Sequence, residues 1–257
     1  MPAWSLVFFR LTGIFILAPV LGSETVPRIV KVFLALGLSF CVYPILMTPG
    51  TQSAAYLHQI NHEQLSIWSM GVAVGLELLV GYVIGYIASL PLIGMQMAGD
   101  IAGQQMGLSF ARIANPMFGD QSGVVDQFFF MLALAIFVIL GGHRVMLNIL
   151  VMSFNHVPLG GFSDFSTLAQ MAIGVLQVVF QLALRVAAPV LCLVFLMTAA
   201  LGFIERTVPQ MNILSVGFAI RILAVTFLLV LFLTSISSVY VQTTRWVLNA
   251  LKGFLAS

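Results

Sequence analysis

Charge is what this sequence has least of. Ten Lys and Arg and eight Asp and Glu are spread over 257 residues, 7% of the chain, against roughly 25% in an average soluble domain. The net charge of +2 is too small and too dispersed for a nucleic-acid footprint. No polar stretch is long enough to fold as a separate catalytic domain. No Pro/Gly/Ser-rich or charged linker divides the chain, so a single helical body is expected. There are two cysteines, Cys41 and Cys192, both in apolar runs, where a thiol acts as a small hydrophobe; buried free thiols are predicted rather than a disulfide. No GxSxG, no P-loop and no Cys-rich cluster occurs, so nothing supports hydrolase, nucleotide or zinc chemistry. His58 and His62 stand four apart, but no acidic residue follows the first and no third ligand is evident, so they do not predict a metal site. The expectation is a protein without cofactor or metal and not an enzyme. Arg10 lies inside the first apolar run rather than before it, which argues against a cleaved signal peptide.

What is there is apolar: 61% of the residues are hydrophobic. The reading is an all-α membrane protein of about six long hydrophobic helices arranged in hairpins. The segments are Leu6–Leu21, Ile29–Met47, Leu65–Met95, Val124–Gly141 with a continuation to Phe154, Leu168–Phe203 and Ile213–Leu248. The last two run to about 36 residues, or about 54 Å as helices, against a hydrocarbon core of about 30 Å. They must tilt, break or project from the membrane, and Pro189 is the expected break in the fifth. Arg28 and Lys31 place the first loop on the cytoplasmic side, and Arg245 with Lys252 does the same for the tail. Six full crossings cannot satisfy both. At least one segment is therefore expected to be re-entrant or not to span, the best candidate being the one before Gly141-Gly142.

Three features single out residues. At 100° per residue, Gly71, Gly75, Gly81, Gly85 and Ser89 fall within an arc of about 120°, a nearly bare helix face suited to close packing on another helix in lipid. Gly99, Gly103 and Gly107 repeat at intervals of four beyond it. Charges inside apolar runs are costly and normally face protein or water; here they are Arg10, Glu77, Arg185 and Arg221. Glu77 is open to three readings, an ion pair or inter-subunit contact, interfacial snorkelling, or a proton relay. Arg221 is expected to meet an acidic group or helix-end carbonyls, and His143 to be interfacial rather than a ligand. Finally, Gly94–Asp126 holds six glycines, four methionines, four glutamines and four charges between strongly apolar segments. Asn115-Pro116 and Gly119-Asp120 carry turn chemistry. Phe110, Met117 and Phe118 offer apolar tips, so the residues alone allow either a loop plugging a pore or an ordinary interfacial loop.

Four pieces then resemble, in order, the FliR/SctT family of flagellar type III export-gate proteins and their injectisome counterparts. They are Arg10-Leu-Thr-Gly13 with Ala18-Pro19-Val20-Leu-Gly22 and Val26-Pro27-Arg28; Gln105-Met-Gly107-Leu-Ser-Phe110-Ala with Asn115-Pro116; Gly141-Gly142-His143; and Pro209-Gln-Met-Asn212 with Val216-Gly217-Phe218 and Arg221. Asn115 stands where that family commonly has Asp, and Ala219 where a Pro often follows Gly-Phe. The resemblance implies one FliR-like domain, 1–257, made of a FliP-like part (1–165) fused to a FliQ-like two-helix part (166–257). It implies a structural channel subunit, present once in a helical assembly with FliP and FliQ whose core lies largely above the inner membrane plane. FlhA, FlhB, unfolded export substrates and membrane lipid are the further implied partners, and the flagellar basal body in the bacterial inner membrane the implied location. It also implies a plug loop over 106–123, comprising Met106, Gly107, Phe110, Asn115, Pro116, Met117, Phe118, Gly119 and Gly123. The flagellar branch fits better than the injectisome branch. An ion-coupled small-solute transporter is the competing class, although no internal repeat supports it.

Overall fold

In the computed structural model, residues 2–19, 22, 26–47, 67–108, 123–157, 165–207 and 213–256 are described. Every element among them is an α-helix: α1 (Pro2–Leu17), α2 (Arg28–Leu46), α3 (Ile67–Met106), α4 (Val124–Ile139), α5 (Gly142–His156), α6 (Phe165–Thr207) and α7 (Ile213–Ala256). The all-α architecture is the one the hydrophobic periodicity predicts. Among the described residues four helices are long and apolar enough to cross a membrane, or five if α4 and α5 form one broken span.

Three boundaries correct the sequence reading. The third helix does not stop at Met95 but runs to Met106, absorbing the first third of the stretch expected to be irregular. Its glycines explain this: a Cβ on Gly99 would lie 2.6 Å from the Asp126 Cα, and Gly103 faces Val125, so the bare helix surface lets the start of α4 lie directly against it. The fourth segment is two helices. Gly141 adopts φ +70°, a left-handed conformation that glycine accepts without steric cost, and its amide closes a turn onto the Val138 carbonyl at 3.0 Å. Gly142 contributes for a different reason, since a Cβ there would sit 2.5 Å from the buried Phe137 ring, which would have to shift. This break is where a non-spanning segment was expected. Pro189, by contrast, does not interrupt α6. Val186, Ala187, Val190 and Val194 are buried on either side of it, and that continuous packed face holds the helix through the lost backbone bond, as membrane helices tolerate. Gly141→Ala is expected to cost about 1–2 kcal/mol from the left-handed strain alone, read as a lower melting temperature of the purified protein. An unchanged melting temperature would mean the break does not depend on that residue.

The chain forms two compact units. The first contains residues 1–90, 137–176 and 244–257, the second 91–136 and 177–243. In the first, α1 packs on α2, with the Trp4 and Phe40 rings 5.0 Å apart. Leu6, Leu11, Leu46, Ile84 and Phe154 are fully buried there. The turn after α1 is closed by the Gly22 amide donating to the Ala18 carbonyl at 2.7 Å. Lys31 Nζ then donates to the Gly22 carbonyl at 2.9 Å. The core of the second unit gathers Ala102, Met106, Val190, Val194 and Val225. Cys41 and Cys192 are free but exposed, not buried as predicted: their apolar runs are long helices with an outward face, and both thiols lie on it.

Candidate functional site

The first unit encloses a charge cluster. Arg10 on α1 is 0% exposed and Glu77 on α3 is 2% exposed, and Arg10 Nε donates to Glu77 Oε2 at 2.5 Å. The remaining guanidinium edges serve the end of α5. Nη1 donates to the Ser153 carbonyl at 3.0 Å and Nη2 to the Val157 carbonyl at 3.2 Å. The Phe154 ring centroid lies 4.4 Å from Cζ, within cation–π range. Ser153 is oriented by its own bond to the Leu150 carbonyl at 2.7 Å. A buried charge is tolerated when it is paired and its other donors are satisfied, and here α3 and the end of α5 supply the partners. Of the three readings open for Glu77, the geometry is that of an ion pair within the chain.

The glycines make this approach possible. Gly13 lies one turn beyond Arg10, and a Cβ there would meet the Leu78 carbonyl and lie 2.9 Å from the Tyr82 nitrogen. From the other side, a Cβ on Gly81 would strike the Arg10 carbonyl, and one on Gly85 would lie 2.8 Å from the Ile14 carbonyl. The motif Arg10-Leu-Thr-Gly13 is thus one contact: the glycine brings two backbones together and the arginine locks them. Gly71 and Gly75, on the same arc of α3, have nothing within 4 Å of an added Cβ and are exposed. Ser89 bonds its own helix at the Tyr86 carbonyl, 2.7 Å. The five small residues therefore divide: Gly81 and Gly85 form an internal seam, and Gly71 with Gly75 is left open.

The other candidates lie elsewhere. Arg185 is exposed on α6 and takes no partner among the described residues. Among the described residues Arg221 meets neither an acidic group nor a carbonyl; its Nη2 donates to the Thr198 hydroxyl at 3.1 Å, because α6 presents that threonine across the hairpin. His143 lines a small apolar pocket with Leu11, Ile14 and Met146. Of the loop residues, Met106 ends α3 in the core of the second unit, Gly107 has φ +83°, and Gly123 precedes α4. A Cβ on Gly107 would collide with the Phe218 ring, so two of the quoted motifs, Gln105–Gly107 and Val216–Phe218, meet at the root of the central loop. Phe110, Asn115, Pro116, Met117, Phe118 and Gly119 lie outside the described residues, as do His58 and His62. One residue escaped sequence reasoning. Asp126, on α4, is 6% exposed with its Oδ1 buried and unbonded among the described residues; its signal was a carboxylate directly heading an otherwise uncharged apolar run.

Long apolar helices, internal ion pairing and glycine-mediated helix contacts define a multi-pass membrane protein. The chain belongs to the bacterial export proteins, family 1, the FliR/SctT family, whose model matches residues 1–246. It is 30% identical to the flagellar biosynthetic protein FliR of Bacillus subtilis over 94% of this chain and 89% of that one. It is 29% identical to FliR of Escherichia coli over 85% and 78%. It is also 26% identical to the surface presentation of antigens protein SpaR of Shigella flexneri over 96% and 90%.

Proposed function

We propose that this chain is the structural channel subunit of the flagellar type III protein export gate in the bacterial inner membrane, needed for export of flagellar proteins and assembly of the flagellum. The observation that carries the assembly part is a mismatch of length and cover. The apolar parts of α6 and α7 are 39 and 38 residues long, with 17% and 11% of their most apolar windows buried. At 1.5 Å per residue each is about 57 Å long, against about 30 Å of hydrocarbon. Nearly half of that apolar length needs a protein neighbour, and FliP and FliQ subunits around a FliQ-like C-terminal hairpin supply it. The division into a FliP-like part, 1–165, and a FliQ-like part, 166–257, is part of this proposal, as are contacts with FlhA and FlhB and passage of unfolded substrates.

The loop 106–123 is proposed as the seal. A pore wide enough for an unfolded chain leaks ions unless something apolar and deformable fills it; Phe110, Met117 and Phe118 supply that volume. The root at Met106 and Gly107 is anchored in packed helices, so the loop can withdraw without loosening its attachment. Deleting Ala114–Asp120 is expected to raise small-molecule leakage across the inner membrane while a tagged chain still co-purifies with FliP and FliQ. Leakage at the wild-type level in an assembled complex would remove the plug from this reading. Co-purification of neither subunit from intact membranes would remove the reading itself.

Two relatives named FliR at 30% and 29% identity, against 26% for SpaR, favour the flagellar branch over the injectisome. Glu77, on which an ion-coupled transporter would depend, is committed to Arg10, which weighs against that alternative.

A further inference from the structure

The hairpin of α6 and α7 contains a cleft of about 300 Å³ that the export reading leaves unused. It is lined by Thr198, Gly202 and Glu205 from α6 and by Gly217 and Arg221 from α7. The glycines matter by what they omit: an added Cβ on Gly202 would meet nothing within 4 Å, so this wall of the cleft is bare backbone. Arg221 is held by a single bond from Nη2 to Thr198, and Thr198 is itself fixed by donating to the Val194 carbonyl at 2.7 Å. An arginine has five N–H donors. The others here take no acceptor among the described residues, and Nε is already closed off from solvent. Glu205 lines the same cleft, yet no ion pair joins it to Arg221. The cleft therefore presents a pre-oriented cation and a carboxylate, neither of them neutralised by another described residue, in an otherwise apolar hairpin.

Depth supplies the second argument. On α6 no charge occurs between Arg185 and Glu205, an interval of 20 residues, or about 30 Å of helix, one hydrocarbon thickness. With that interval in the hydrocarbon Glu205 falls at the headgroup layer, and the exposed Phe203 beside it in sequence, together with Ile220 and Leu223 flanking Arg221, gives acyl chains a surface. A phosphate suits guanidinium geometry, and a primary ammonium suits a carboxylate.

We propose that this cleft binds the headgroup of a zwitterionic aminophospholipid, with the phosphate on Arg221, positioned by Thr198, and the ammonium on Glu205. The inference concerns this chain's own lipid contacts; it does not depend on the channel role, and it requires that this end of the hairpin lie at the headgroup layer.

The test is native mass spectrometry of the full chain purified in mild detergent, with phosphatidylethanolamine, phosphatidylglycerol and phosphatidylcholine of identical acyl chains added in turn. Phosphatidylethanolamine should be retained at least fivefold better than the other two, which lack either the positive charge or the ammonium donors. Arg221→Gln should lower retention of all three at least tenfold. Glu205→Gln, at an exposed position with little folding risk, should erase the preference among headgroups while leaving phosphate binding. Thr198→Val, which frees the guanidinium, should weaken retention in between. Equal retention of the three lipids by the unaltered chain, or an unchanged preference in Glu205→Gln, overturns the proposal. So does release of a co-purifying protein by Arg221→Gln without any change in lipid retention, which would make the cleft a subunit contact.

Discussion

Glu77→Ala is expected to remove most of the folded protein from the membrane fraction. The substitution deletes a small volume, but it leaves the Arg10 guanidinium buried without its counter-charge, at a typical cost of about 3–5 kcal/mol. That is a large part of the roughly 5–15 kcal/mol by which proteins are stable. The carbonyls of Ser153 and Val157 cannot compensate, since they already accept bonds from the other edges of the same group. Replacing both partners, Arg10→Met with Glu77→Leu, should recover part of the loss, because no charge is then buried. Recovery should stay incomplete, since the end of α5 still loses two donors. Abundance in isolated membranes and the melting temperature in detergent measure both. A Glu77→Ala protein as abundant and as stable as the parent would show that the pair contributes little.

Gly81→Leu and Gly75→Leu should separate two uses of one helix face. At Gly81 the obstruction is the backbone of α1 around Arg10, which no rotamer change can move aside. The cost should reach or exceed the upper end of the about 1–3 kcal/mol typical of overpacking. The chain itself should then misfold, with a melting temperature lowered by several degrees or little protein recovered. At Gly75 the space is open, so the leucine variant should fold and insert normally and lose only yield of the assembled complex. Normal yield for Gly75→Leu would assign the open glycines to lipid, and a stable Gly81→Leu chain would mean the seam is looser than its contacts imply.

Much of this was legible from residues. Periodicity and uninterrupted apolar length gave the all-helical membrane class, and the bare face of α3 was visible as an arc of glycines. The cost of charge in an apolar run singled out Arg10, Glu77, Arg185 and Arg221 together, but not which of them are buried: Arg10 and Glu77 are, and Arg185 is exposed. The pairing of Arg10 with Glu77 was not legible either, because the two residues are 67 positions apart and only packing brings them together. Pro189 misled for a related reason: a proline removes a bond locally, but the buried valines around it decide whether the helix continues. The end of α3 was misplaced because Gln and Gly lower the apparent hydrophobicity of Gly94–Met106, while the packing of Gly99 and Gly103 against α4 depends on the absence of side chains. The outward cysteines show the same limit, since hydropathy measures how apolar a segment is and not which of its faces is covered.

The Arg10 cluster has a consequence for how the chain is made. Among the described residues every partner of that guanidinium lies later in the sequence, Glu77 first and Ser153 and Val157 well after it. While α1 waits, it carries an arginine whose exposure to lipid costs about 2.5–3.5 kcal/mol, on a helix of only 16 residues, about 24 Å long. The nascent segment is therefore poorly held by lipid alone and becomes secure only when α3 and then α5 have been synthesised. A chain that stops short keeps a misfit first helix, which marks it as incomplete in the membrane and distinguishes it from the finished protein before any partner is met.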